Sequence, residues 1–314
     1  PKRRQTLIDN ADLIRVSKQL VTLKDDVPLE VKLEDLAVQD PDPDTLISFL
    51  EEMEFRTITR RVREMMEKEG AIETTQPAED PIDRSKYVCI RDFEELEDWV
   101  ARATSQGYVA VDTETDSLDS VTANLVGVSL SLAPGEACYI PLAHVDPNDA
   151  GDGDMFGADP PRQIRMKDAI RILKPMLEDP SVLKIGQNIK YDLSIFASQG
   201  IIVAPIDDTM LLSYVLNAGK HNHGMDTLSQ RYLEHAPIPF KEVAGTGKSQ
   251  VTFDRIPLDK ATEYAAEDAD VTLRLWQIFK PELRHEKVTT VYETLERPLV
   301  PVLAKMEQEG IKVD

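Results

Sequence analysis

Three β-type runs crowded into residues 108–141 limit the fold of this chain more than any other feature. Residues 108–112, 125–132 and 137–141 are rich in Val, Leu, Ile and Tyr. Only Pro134-Gly135-Glu136 separates the last two, so that pair is expected to form an antiparallel hairpin. A short strand over 87–90 and a helix over 93–104 come before them. A helix over 162–177, a strand over 182–187, a helix over 191–199 and a strand over 201–204 come after. A hairpin meander leading into a β-α-β-α-β succession specifies an α/β protein with a mixed sheet flanked by helices. The rest reads as helical over 209–216, 225–233, 258–283 and 288–309, with Pro298 and Pro301 breaking or bending the last.

Ahead of this region lies a small helical segment. Residues 1–24 are locally basic and suggest one or two short helices. Asp40-Pro41-Asp42-Pro43-Asp44 is a turn offering N-cap carboxylates. The helix expected over 45–69 buries Leu46, Phe49, Leu50 and Met53, and Gly70 closes it. Residues 71–86 lack periodicity and contain Pro77 and Pro81, which makes them the best domain boundary in the chain. The sequence opens on Pro1-Lys2-Arg3-Arg4 without Met and stops straight after an amphipathic helical pattern, so a fragment of a longer protein is expected.

Composition removes several classes. No apolar run approaches the roughly 18 residues that a membrane span needs. Cys89 and Cys138 are too few for a disulfide framework, and no CxxC or His/Cys cluster offers a zinc site, so a cytoplasmic setting is expected. Asp and Glu number 57 against 36 Lys and Arg, a net charge of −21. That balance weighs against nucleic acid, because phosphate binding relies on Lys and Arg. The acidic connection 145–161 fails the EF-hand pattern in either register, because Ala150 or Phe156 falls where a ligand is needed. Gly245-Thr246-Gly247-Lys248-Ser249 resembles the end of a phosphate-binding loop, yet Glu242 stands where the first glycine belongs. Both are read as loops.

Three short segments carry chemistry. Val109-Ala110-Val111-Asp112-Thr113-Glu114 is an apolar strand running into two carboxylates at i and i+2, which project from one face. Gly186-Gln187-Asn188-Ile189-Lys190-Tyr191-Asp192 lies where a buried strand gives way to a helix. Tyr264-Ala265-Ala266-Glu267-Asp268 sets a phenol and a carboxylate one helical turn apart, beside alanines that let that face approach a sheet closely. Each alone has an ordinary reading: solvated charge at a strand end, helix capping by Asn188 or Asp192, an exposed acidic helix. Together they supply four carboxylates and a phenol without His or Cys. An all-oxygen set selects hard cations, Mg²⁺ or Mn²⁺. Two such ions about 4 Å apart suit in-line displacement at phosphorus. Tyr264, ordinarily titrating near pH 10, stays protonated and can orient a water.

The set Asp112-x-Glu114, Asn188-x-x-Tyr191-Asp192 and Tyr264-x-x-x-Asp268 resembles the three motifs of the DEDDy 3′–5′ exonucleases. The wording around them is similar to the proofreading domain of the bacterial DNA polymerase I family, over residues 87–285. The resemblance implies a ribonuclease H-like (DnaQ-like) fold and hydrolysis at the 3′ end of single-stranded or frayed DNA to 5′-mononucleotides. Asp112, Glu114, Asp192 and Asp268 then bind two divalent ions, and Tyr264 positions the nucleophilic water. Leu118, Asn188 and Phe240 contact the terminal nucleotides, an apolar wedge and an aromatic face suiting unpaired bases. Residues 1–66 resemble the end of a 5′-nuclease domain, 67–86 a linker and 286–314 the start of a polymerase domain. The implied partners are a DNA 3′ end and those further domains, in a nucleoid-associated monomer. Two rivals use the same residues: a silent spacer between nuclease and polymerase, and a ribonuclease D-like trimmer of RNA.

Overall fold

A computed structural model describes residues 2–28, 32, 36–38, 41–53, 55, 58, 59, 61, 62, 65, 66, 82–145 and 161–312. The chain divides into two units, Pro1–Thr74 and Thr75–Asp314.

The first unit holds helices α1 (Lys2–Asp9), α2 (Ala11–Val21) and α3 (Pro43–Glu52). Asp42 caps α3, its Oδ1 accepting from the Thr45 N–H at 2.9 Å and the Thr45 hydroxyl at 2.5 Å. Among the described residues of this helix Ile47 and Leu50 are buried, whereas Phe49 and, just beyond its end, Met53 are exposed, against expectation. The helix expected to reach residue 69 ends at Glu52. The Phe55 N–H reaches back to the Leu50 carbonyl at 2.9 Å and breaks the ladder, and the described residues from Ile58 to Met66 are again helical. Gly70 and residues 71–81 lie outside the described residues, as does most of the acidic connection, 146–160.

The second unit is built on a six-stranded mixed sheet. Its strands are β1 (Val88–Cys89), β2 (Tyr108–Thr115), β3 (Leu125–Ala133), β4 (Glu136–Pro141), β5 (Leu183–Gly186) and β6 (Ile206–Asp208), in the order β1-β4-β3-β2-β5-β6. The β2-β3-β4 meander is antiparallel, while β5 and β6 run parallel to β2, and β1 parallel to β4. Helix α4 (Phe93–Gln106) feeds β2 through Gly107, whose φ of +82° is a left-handed turn that a side chain would strain. Helices α5 (Met166–Glu178) and α6 (Lys190–Ser198) flank β5. Val109, Val111, Val128 and Leu130 share one core with Leu96, Leu173 and Phe196.

After β6 come α7 (Thr209–Asn217), α8 (Met225–Tyr232), α9 (Phe240–Ala244), the long α10 (Leu258–His285) and α11 (Arg297–Glu309). Three expectations change. No strand forms over 201–204: the Ala204 N–H bonds the Leu177 carbonyl and the Ile202 N–H the Glu178 carboxylate, so this stretch finishes α5 and the strand is β6. Helix α5 starts at Met166 rather than residue 162, because Gln163 is held by a reciprocal pair of bonds to the His144 backbone, at 2.9 and 2.8 Å. Before α11 the chain takes a wide π-turn over Tyr292–Glu296, and Pro298 follows in the first turn of α11.

Candidate active site

Strand alternation sets the site. Val109 and Val111 point into the main core, whereas Ala110 packs with Ile185 and Leu273 on the α10 side. Asp112 and Glu114 share the side of Ala110. On α10 the residues Ala261, Ala265, Ala266 and Ala269 are fully buried, so the helix lies close against the sheet and delivers Tyr264 and Asp268 to the end of β2. Carboxylate oxygens of Asp112, Glu114 and Asp268 lie within 4.8 Å of one another. Asp192, from the first turn of α6, stands beside them. Its Oδ1 accepts from the Thr113 N–H at 3.0 Å and the Thr113 hydroxyl at 2.6 Å.

Bringing four acids together out of water is unfavourable, and the electrostatics record it. Burial pushes the Asp112 carboxyl up to about 7. Burial, then the charges of Asp112, Asp268 and Asp192, hold Glu114 well above the carboxylate range. Asp192 and Asp268 are raised by burial and by Asp112, with bonds from Thr113 and Tyr264 respectively opposing the shift. Among the described residues no Lys or Arg forms an ion pair with any of the four. Glu114 Oε1 is buried without a hydrogen-bond partner. Buried acids held this close and left without counter-charge fit an ionic ligand of opposite sign, and oxygen donors alone suit a hard divalent cation.

Tyr264 is half-buried, and the neighbouring Asp268 charge, with burial, pushes its hydroxyl far above the ordinary value. It stays a neutral phenol. Phe240 and Phe253 flank its ring at centroid distances of 5.9 and 6.0 Å. Phe240 lines a cleft of about 490 Å³ together with Met225, Ile238, Tyr264 and Asp268. Asn188 is exposed at the start of α6, in the left-handed region at φ 57°. Leu118 is 97% exposed and lines a separate apolar groove with Val302 and Met306 of α11. The structure thus gathers Asp112, Glu114, Asp192, Tyr264 and Asp268, adds Phe240 at the cleft wall, and leaves Leu118 outside that cleft.

Three supporting residues escaped sequence reasoning. Thr113, between the two acids of β2, orients Asp192. Asp208 accepts from the Asn188 N–H (3.1 Å), the Ile189 N–H (3.0 Å) and the Met210 N–H (2.8 Å), so one carboxylate both fixes the turn into α6 and caps α7. Burial raises it to about 6 against those bonds. Glu267, next to Asp268, accepts from the Arg84 Nε at 2.6 Å and the Ile238 N–H at 2.6 Å and pairs with His235 at 2.7 Å. It fixes the segment that presents Phe240. The Asp-Thr-Glu and Glu-Asp spellings were visible, but not which member points inward to structure.

A family model described as 3′-5′ exonuclease matches residues 87–284. The chain belongs to that family. It is a hydrolase of nucleic-acid phosphodiester bonds, on a ribonuclease H-like mixed sheet. Along its whole length it is 42% identical to DNA polymerase I of Rhizobium leguminosarum, and over 98% of its length 38% identical to DNA polymerase I of Pseudomonas aeruginosa. The chain spans 38% and 33% of those relatives. Among solved structures, the polymerase domain of Pol1 from M. smegmatis, in complex with DNA primer-template and dNTP, superposes on 72% of the chain and 33% of its own length. The TM-score is 0.55 at 19% identity, which speaks to the fold alone.

Proposed function

We propose that residues 87–285 remove nucleotides from the 3′ end of single-stranded or frayed DNA, as the proofreading part of a DNA polymerase I. The observation that carries this is the approach of Asp112, Glu114 and Asp268 to within 4.8 Å with Glu114 Oε1 left unpartnered. Asp112, Glu114, Asp192 and Asp268 would hold two divalent ions, Mg²⁺ or Mn²⁺. Such ions, when bound, offset the acidic charge, acidify water and stabilise a departing oxygen.

The chain's own residues do the rest. Tyr264, neutral and packed against the stacked pair Phe240 and Phe253, holds the attacking water by its hydroxyl. Thr113 holds the Asp192 carboxylate in place. Phe240 offers a partly exposed ring for the last base, and Asn188, exposed at the start of α6, a polar group for the terminal nucleotides. Water adds to phosphorus, the P–O3′ bond breaks, and a 5′-mononucleotide leaves the shortened strand with a free 3′ hydroxyl. A site that grips only the terminal nucleotides needs no long basic groove, which reconciles the net charge of −21 with a nucleic-acid substrate. The same reading makes 1–66 the end of a 5′-nuclease domain and 286–314 the start of a polymerase domain. The test is Asp112→Ala with Glu114→Ala, assayed on a 3′-labelled oligonucleotide with Mg²⁺. Label loss is expected to vanish while the circular dichroism spectrum is kept. Unchanged label loss in this double variant refutes the assignment.

A further inference from the structure

The last stretch of the chain is tied into the turn that carries Asn188. Residues 286–312 lie beyond the 87–284 that the family model matches. Yet Tyr292, in the π-turn ahead of α11, is fully buried. Its hydroxyl bridges two successive residues of β6: it accepts from the Asp208 N–H at 2.9 Å and donates to Asp207 Oδ1 at 3.0 Å. Asp207 is itself fully buried and held by charge. It accepts from Trp276 Nε1 at 2.8 Å and pairs with Lys280 of α10 at 3.0 Å and Arg297 of α11 at 3.3 Å. Glu293 of the π-turn pairs with Lys280 at 2.8 Å and also with Arg297. A buried carboxylate so surrounded cannot shift without stranding charge, so Tyr292 is fixed in place against β6.

Asp208 faces the other way, into the turn from β5 to α6, where its carboxylate accepts from the Asn188 and Ile189 N–H groups. That turn needs holding. Asn188 sits in the left-handed region at φ 57°, a conformation that costs free energy for any residue with a side chain. Ile189 folds back over Gly186 so tightly that a Cβ there would lie 2.7 Å from the isoleucine side chain. Farther along, α11 reaches the same turn again, Glu307 pairing with Lys190 at the start of α6.

We infer that Tyr292 is a positioning residue for the 3′-terminal nucleotide. Its hydroxyl fixes the end of β6 through the Asp208 N–H, and the Asp208 carboxylate in turn holds the strained turn that presents Asn188. The inference rests on the reading of Asn188 as a contact to that nucleotide. It makes the stretch after residue 285 a working part of the hydrolytic site, not only the start of a further domain. Asp192 has its own support in Thr113, so substrate binding depends on Tyr292 while the chemical step does not.

Tyr292→Phe in the full chain keeps the ring, removes the hydroxyl and leaves the Asp208 N–H without its acceptor. The Asn188 and Ile189 amides are expected to exchange with solvent about tenfold faster, and those of the β2-β3 ladder at the parental rate. On a single-stranded oligonucleotide with Mg²⁺, KM is expected to rise about three- to tenfold with kcat little changed. Asn188→Gly keeps the left-handed turn and removes the side chain, so in that background Tyr292→Phe is expected to leave KM nearly unchanged. A merely structural loss would raise KM equally in both backgrounds. That equal rise, an unchanged KM in Tyr292→Phe, or an Asn188 amide exchanging as slowly as in the parent overturns the inference. An Asn188→Gly protein with the parental KM instead refutes the reading of Asn188 on which the inference rests, whatever the amide exchange.

Discussion

Replacing Asp112 by Asn should make the metal-free protein more stable, and only above a certain pH. Folding moves this carboxyl from its ordinary 3.8 to about 7 by burial. A carboxyl raised in the folded state costs nothing below about pH 4, where folded and unfolded chains are both protonated. The cost grows as pH rises between the two values and is complete above about 7. At 1.36 kcal/mol per tenfold change in proton activity, the ceiling is about 4 kcal/mol. Asp112 is half-buried and shares the repulsion with three neighbours, so about half of that ceiling is a fair expectation. Asn keeps the shape and an acceptor oxygen but cannot ionise. In chelator at pH 8, Asp112→Asn should melt about 4–8 °C above the unsubstituted protein, given about 2–4 °C per kcal/mol for a unit of this size. At pH 4 the two should coincide. With saturating Mn²⁺ at pH 8 the order should reverse, since the unsubstituted protein alone keeps the full ligand set. Thermal melts across pH, with and without chelator, read all three. A lower melting temperature for Asp112→Asn in chelator at pH 8 refutes the claim that the acids strain the metal-free fold.

Other outcomes follow from single contacts. Tyr264→Phe should lower kcat by about 10- to 100-fold with little change in KM, because it removes an orienting hydroxyl and leaves the aromatic packing; steady-state kinetics on an oligonucleotide check this. Phe240→Ala should instead raise KM several-fold, a base-stacking face being worth about 1–3 kcal/mol, measured in the same assay. Asp208→Ala should destabilise the second unit by about 2–4 kcal/mol in urea titrations, since it leaves the buried Ile189 N–H and the part-buried Asn188 and Met210 N–H groups without their acceptor.

How much of this was legible beforehand varied with the range of the interaction. The meander was readable because Pro134-Gly135 and the alternating runs on either side are local signals. The acids of β2 and α10 were readable because spacing i, i+2 and i, i+4 fixes their faces without knowledge of partners. Residues 201–204 failed because an apolar run cannot reveal that its N–H groups are taken by the end of α5 rather than by a strand. The helix 45–69 failed because apolar periodicity does not record the i→i−5 closure at Phe55. Asp208 and Glu267 accept from backbone donors 20 and 29 residues away, and Thr113 donates to Asp192 across 79 residues, all in positions that depend on the finished sheet.

The claim that this acidic cluster cuts DNA from the 3′ end is tested most directly with a 5′-labelled single-stranded oligonucleotide resolved on a sequencing gel. With Mg²⁺ the account predicts a ladder that shortens one nucleotide at a time from the 3′ end and vanishes on chelation. An oligonucleotide that stays intact, or one cut at internal positions while its 3′ end survives, would contradict it.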